Sequence, residues 1–271
     1  MQKIFTLIIL LLAATAAKAA KVDTVTVPAK FLDTPMKVSV VTPDAASAAS
    51  PVPVVYILNG YDGDYSSWLN ITRPDLPALA DAYGVVLVMP DGRDSWYWDS
   101  PVQPGMQMES FITKELVPFI DANYPTIPSR DKRAITGLSM GGHGALYLAA
   151  RHPELWGSAG SMSGGVDIRP FPKSWKMAQR LGAGIDADPE LWNSHTVATL
   201  LPAIEPGSLN IIIDCGVDDF FAQVNRNLHQ SLLDAGVPHD YTERPGRHSH
   251  AYWANSILYH LLFFNEAFAK Q

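Results

Sequence analysis

The residues with the most evident chemistry are Gly137-Leu138-Ser139-Met140-Gly141. This is the G-x-S-x-G pattern, in which a serine sits on a sharp strand-to-helix turn with its hydroxyl exposed. The flanking sequence supplies that setting: Arg133-Ala134-Ile135-Thr136 reads as a short strand, and Gly142 to Arg151 as a helix ending before Pro153. Glycines on either side remove side chains that would collide with the strand and helix they join. The helix also turns its amino terminus toward the serine, which favours developing negative charge.

A serine hydroxyl attacks an acyl carbon only when a base takes its proton, and the base needs a carboxylate to orient it. Downstream, the apolar run Leu209 to Cys215 leads into Gly216-Val217-Asp218-Asp219-Phe220, so two carboxylates stand where one is needed. One is expected to serve the base and the other to cap the helix beginning near Phe221. The last strand, from about His239 to Glu243, leads into Pro245-Gly246-Arg247-His248-Ser249-His250. His248 and His250 are both candidate bases, and spacing alone separates neither pair. An H-x-H metal pair lacks further ligands nearby, so no metal or organic cofactor is implied. His143, His152, His195, His229, His239 and His260 fall outside the required order and read as structural. The backbone N–H of Met140, next to the serine, and that of Tyr61 in Asn59-Gly60-Tyr61-Asp62-Gly63 are the candidate oxyanion donors.

These residues need a scaffold. Val22 to Val27 and Met36 to Thr42 alternate like paired edge strands, whereas Val54 to Leu58 and Val85 to Met89 are continuous runs, as in strands buried on both faces. Helical stretches intervene at Asp75 to Tyr83, Met108 to Asn123, Gly142 to Arg151 and Phe221 to Ala235. The alternation predicts an α/β-hydrolase fold, with a mostly parallel central sheet, helices on both faces and a small insertion after the sixth strand. That insertion, about residues 164–207, contains no strand pattern. It reads equally as a cover over the sheet's carboxyl edge or as a helical pair packed on the sheet.

On these residues the chain resembles the esterase D family, which includes S-formylglutathione hydrolases, feruloyl and acetyl-xylan esterases and mycobacterial mycolyltransferases. The resemblance runs from about Pro53 to the end and thins in the insertion. It rests on Gly137 to Leu146, on Met89-Pro90-Asp91-Gly92 with Trp96-Tyr97-Trp98, and on Glu109-Ser110-Phe111-Ile112 with Glu115-Leu116. It implies that the acid is Asp219, three residues after the strand-end glycine. It implies that the base is His248, because Gly246-Arg247-His248 with Tyr252-Trp253 matches the family's histidine motif. The residue after the loop glycine, Tyr61, would supply the second oxyanion amide. Asn59 stands where many members carry His or Asp, a departure on the substrate side of that loop.

The 271-residue chain has an apolar fraction of 47%, a charged fraction of 17% and a formal net charge of -7. These values suit a globular protein with a sizeable core and offer no basic surface to nucleic acid. Lys3, the apolar run Ile4 to Leu12 and Ala17-Lys18-Ala19 form a secretory signal peptide over 1–19, with no cysteine to carry a lipid. The mature chain, 20–271, is then one domain, secreted or periplasmic, without a membrane anchor. Its only cysteine, Cys215, lies in an apolar strand pattern, so no internal disulfide forms. Export argues against a cytosolic thioester substrate and favours a secreted serine carboxylesterase acting on a small-molecule or oligosaccharide acyl ester. Asn59, Trp68 and Trp98 are the candidate substrate contacts, with Trp96, Trp175 and Trp192 as further rings able to stack on a sugar or aromatic group. The alternatives are an acyltransferase using a sugar acceptor, a peptidase, and a non-catalytic carbohydrate-binding protein of the same fold.

Overall fold

The computed structural model describes residues 19–270. The signal-peptide expectation therefore lies, apart from Ala19, outside the described residues. The strands are β1 (Lys21–Val27), β2 (Met36–Thr42), β3 (Val54–Leu58), β4 (Val86–Pro90), β5 (Arg133–Gly137), β6 (Ser158–Met162), β7 (Asn210–Gly216) and β8 (Asp240–Arg244). They form one sheet in the order β1-β2-β4-β3-β5-β6-β7-β8. β2 is antiparallel to both β1 and β4, and every pairing from β4 to β8 is parallel. The observed topology is that of an α/β-hydrolase. Only β1 is an edge strand at this end. β2, whose alternation predicts an edge strand, instead lies between β1 and β4 and is buried along most of its length.

The helices are α1 (Leu76–Tyr83), α2 (Met108–Phe111), α3 (Val117–Asn123), α4 (Met140–Arg151), α5 (Met177–Leu181), α6 (Pro189–Ser194), α7 (Val197–Leu200), α8 (Ala222–Asp234) and α9 (His250–Ala269). A π-type turn over Ile112–Leu116 joins α2 to α3, and another occupies Trp68–Thr72. Alternation along β3 divides the core between the two faces. Val54, Tyr56 and Leu58 join the cluster beneath α3, α4 and α8, while Val55 and Ile57 join the one beneath α1 and α9. Among the described residues no helix is long and apolar enough to cross a membrane.

β6 has the sequence Ser-Ala-Gly-Ser-Met and carries no β-branched run, because helices press on it closely. A Cβ at Gly160 would lie 2.4 Å from His260 Nδ1 on α9. That histidine belongs to a buried polar cluster. Asp214 on β7 accepts from Arg244 on β8 at 2.8 Å and from Ser256 on α9 at 2.9 Å, and His260 Nε2 lies 3.3 Å away. His260 Nδ1 pairs with Thr136 Oγ1 of β5 at 2.8 Å. Burial pushes the Asp214 carboxyl up, but His260 and Arg244 outweigh it and hold the group below the usual carboxylate range. Its stabilising contribution is therefore complete above the unfolded-state value near pH 4, and is lost as pH falls through the lower folded value. Asp214→Ala would leave the half-buried Arg244 guanidinium and the buried His260 ring without their carboxylate. It is expected to cost about 3 kcal/mol, read as a lower urea midpoint at unchanged slope.

Candidate active site

The turn at Ser139 is set by contacts between backbones. A Cβ on Gly137 would lie 2.5 Å from the Gly141 carbonyl carbon, and one on Gly141 would lie 2.5 Å from the Leu58 carbonyl oxygen. Neither neighbour can move without displacing β3 or α4, so glycine is required at both positions. Between them Ser139 adopts φ 56° and ψ −117°, a conformation that side-chain-bearing residues rarely hold. The turn is sewn to the adjacent strand ends, with Leu138 N–H donating to Leu58 and Ser139 N–H to Met162. Ser139 is thereby held at the carboxyl end of the sheet, 9% exposed.

The structure brings together Ser139, His248 and Asp219. Ser139 Oγ lies 2.8 Å from His248 Nε2, and His248 Nδ1 lies 2.8 Å from Asp219 Oδ2. The other Asp219 oxygen accepts the Phe221 N–H at 2.8 Å. An ionised carboxylate only accepts, so the proton of His248 belongs on Nδ1, leaving the Nε2 lone pair for the serine hydroxyl. Asp219 is buried, whereas Asp218 is exposed. His250 pairs instead with Thr72 Oγ1 at 2.8 Å. Among the described residues no three His, Cys, Asp or Glu side chains gather as a metal would require.

Met140 opens α4, where the first N–H groups have no partner within the helix. The loop bearing Tyr61 comes in alongside, since a Cβ on Gly60 would meet Ser139 Cβ at 3.3 Å. Asn59 shapes this loop. Its Oδ1 accepts from Gly92 N–H at 2.8 Å, its Nδ2 donates to Gly60 O at 2.9 Å, and Tyr97 OH donates to its carbonyl at 3.0 Å. Asn59 borders the cleft, but both ends of its amide are engaged with the protein rather than free for substrate.

The cleft has a volume of about 380 Å³ and is walled by Trp68, Trp175, Phe220, His248, His250 and Trp253 around Ser139. Trp68 forms a buried part of the wall, with its N–H on Leu58 O at 3.2 Å. Trp98 does not reach the cleft. It is 1% exposed, stacks on Trp96 and donates to His143 Nε2 at 2.9 Å, so it is a core residue. Trp96 and Trp192 are buried likewise. Of the insertion, Trp175 lines the cleft while Met177, Leu181 and Trp192 enter the core, so the segment covers the sheet edge and packs beneath it. Sequence reasoning missed Phe220, 52% exposed with its ring 4.3 Å from that of His248, and Ile71, 59% exposed on the π-type turn. The place of Phe220 directly after the acid was the available signal. Nothing in the sequence marked Ile71.

Two residues of the matching motifs are structural. The Glu109 carboxylate accepts from Arg151 and His152, each at 2.7 Å, and so ties α2 to the end of α4. His143 Nδ1 meets Gly165 O at 3.0 Å while Nε2 accepts from Trp98, so only the neutral ring satisfies both contacts. Burial lowers its pKa to about 3.

Fold and site define a serine hydrolase of the α/β-hydrolase class. A family model described as Esterase matches residues 29–264, and the chain belongs to that family. It is 30% identical to an acetyl esterase of Caldicellulosiruptor saccharolyticus over 218 residues, 75% of this chain and 79% of that protein. It is equally 30% identical to an esterase of Mycobacterium tuberculosis over 78% of this chain, but spans only 52% of that protein. The S-formylglutathione hydrolase of Mus musculus is 27% identical over 261 residues, covering 85% of this chain and 89% of that one. Among solved structures, a ferulic acid esterase superposes with a TM-score of 0.79 at 26% identity, over 92% of this chain and 98% of the other. The protein is an esterase, a serine hydrolase acting on carboxylic esters.

Two outcomes are expected. Asp219→Asn should lower kcat on a simple acyl ester roughly 10³- to 10⁴-fold by disturbing the His248 tautomer, while Asp218→Asn changes it less than about twofold. The neutral His143 makes the fold acid-sensitive. Its folded pKa lies below its unfolded value near 6.5, so stability is complete above that pH and falls toward pH 3 by up to about 1.4 kcal/mol per pH unit. Urea midpoints measured between pH 7 and 4 should show that slope, and His143→Gln should flatten it.

Proposed function

We propose that this protein is a secreted serine carboxylesterase that removes acyl groups from carbohydrate through an acyl-Ser139 intermediate. The observation carrying the reaction is the unbroken chain from Ser139 Oγ to His248 to Asp219, at 2.8 Å for each link. Ser139 Oγ attacks the ester carbonyl as its proton passes to His248 Nε2, and Asp219 stabilises the imidazolium that forms. The carbonyl oxygen, now negative, takes hydrogen bonds from the N–H groups of Met140 and Tyr61. As the tetrahedral adduct collapses, the ester C–O bond breaks and His248 returns the proton to the departing alcohol oxygen. Water then enters, loses a proton to His248 and attacks the acyl carbon. Ser139 leaves with that proton and the carboxylic acid is released.

The substrate class is supported by three observations. The cleft is walled by aromatic rings suited to flat or ring-shaped groups. The relatives include an acetyl esterase and a ferulic acid esterase. The amino-terminal sequence reads as an export signal, which supports a substrate outside the cytoplasm.

A fluorophosphonate probe should label the wild type and fail to label Ser139→Ala, and the same variant should lose at least about 10⁴-fold in hydrolysis of acetyl, butyryl and feruloyl esters. Labelling that persists in Ser139→Ala would move the nucleophile elsewhere. A wild type that neither labels nor hydrolyses any of the panel would make the chain a binding protein on this fold.

A further inference from the structure

The reaction above uses one of the two histidines near the cleft. His250, the first residue of α9, also lines the cleft with Ser139. Its ring is held in place. Nδ1 lies 2.8 Å from Thr72 Oγ1 on the π-type turn, and the ring meets Trp253 edge-on at 5.2 Å. His248 meets the same indole edge-on at 4.8 Å, so the two imidazoles share one aromatic support. Among the described residues Thr72 is the hydrogen-bond partner of the His250 ring, which leaves Nε2 for a group entering the cleft. Burial, and then the nearby His248, lower its pKa, so the ring is neutral at pH 7. A neutral imidazole nitrogen is a hydrogen-bonding group without the desolvation penalty of a charge.

The reaction determines which part of the substrate His250 can meet. The departing alcohol oxygen collects its proton from His248 Nε2, so the alcohol must lie on the His248 side of the cleft. His250 adjoins that side, because its ring and that of His248 pack against the same Trp253 indole and Thr72 holds it there. An alkyl alcohol has nothing to offer a second imidazole nitrogen. A polyhydroxylated alcohol carries a free hydroxyl next to its ester oxygen.

We propose that His250, held by Thr72, is a specificity-determining residue that hydrogen-bonds a free hydroxyl of the alcohol portion, so that the cleft selects esters of polyhydroxylated alcohols over esters of simple ones. This rests on the carbohydrate-esterase reading above and names the residue through which it is exerted.

The test compares a mono-acetylated methyl xyloside with cyclohexyl acetate, a ring-matched ester lacking neighbouring hydroxyls. The wild type should show a higher kcat/KM on the sugar ester. His250→Phe should lower the ratio of the two kcat/KM values roughly three- to tenfold, mainly through KM, as expected for one neutral hydrogen bond. His250→Gln, which can still donate and accept, should restore much of the ratio, and Thr72→Val should lower it in part. Fluorophosphonate labelling of each variant confirms a folded site. If the wild type prefers the sugar ester and His250→Phe keeps that preference, His250 is not the hydroxyl partner, though the carbohydrate reading stands. Equal losses on both esters would assign His250 a structural role through Trp253 and overturn the proposal. A wild type without preference for the sugar ester would remove both the reading and the proposal.

Discussion

The contact on which the site depends is the one between the backbones of β3, β5 and α4. Gly137 and Gly141 let the end of β5, the start of α4 and the carbonyl of Leu58 approach more closely than any Cβ would permit. That approach forces Ser139 into its positive-φ turn, and the hydrogen bonds of Leu138 and Ser139 to the ends of β3 and β6 hold it there. Strain of this kind persists only where the surroundings over-determine it. Here they do, because the turn is clamped from both neighbouring strands. The reward is positional. The hydroxyl stands above the sheet, beside the first amide of a helix and below the loop that carries Tyr61.

The aromatic content of the chain is divided by that geometry. Tyr97 packs over α4, where a Cβ on Gly144 would meet its ring at 2.3 Å, and its hydroxyl reaches back to Asn59. Trp96 and Trp98 stack behind it and close on His143. These rings support the oxyanion loop and the nucleophile helix from within. The rings that line the cleft come instead from the oxyanion loop, the insertion, the residue after the acid, the π-type turn and the start of α9. An aromatic side chain near a catalytic motif in sequence is therefore no guide to one near the substrate, because the motif itself must be packed.

This explains which features were legible beforehand. Ser139 was, because the strained turn requires glycines at fixed offsets, and such requirements are written locally. The strands β3 and β4 were legible because burial on both faces demands continuous β-branched runs. β6 was not, since α9 presses His260 against Gly160 and small residues replace the usual pattern. The inner position of β2 is not written in its alternation, because strand order depends on a crossover that alternation does not encode. For the acid and the base, spacing left two candidates each. The structure separates them by burial for Asp219 and Asp218, and by partner for His248 and His250. No local signal in the sequence shows that the Trp98 N–H is committed to His143, so its burial is not legible there.

Among the described residues two Asp–His pairs stand on the same elements, and burial assigns them different work. Asp214 and His260 lie within the layer between β7 and α9, where the carboxylate is also met by Arg244 and Ser256. Arg244 of β8 and Ser256 of α9 both donate to it, so the cluster ties β7, β8 and α9 to one another. Asp219 and His248 hang from those same elements where the chain leaves the sheet, one just past β7 and the other just before α9. Their pair is completed by a single backbone N–H and opens toward Ser139. An imidazole that must accept and return a proton has to keep one nitrogen free of permanent partners. The rigidity it needs is therefore supplied from the buried pair inside, where no proton has to move.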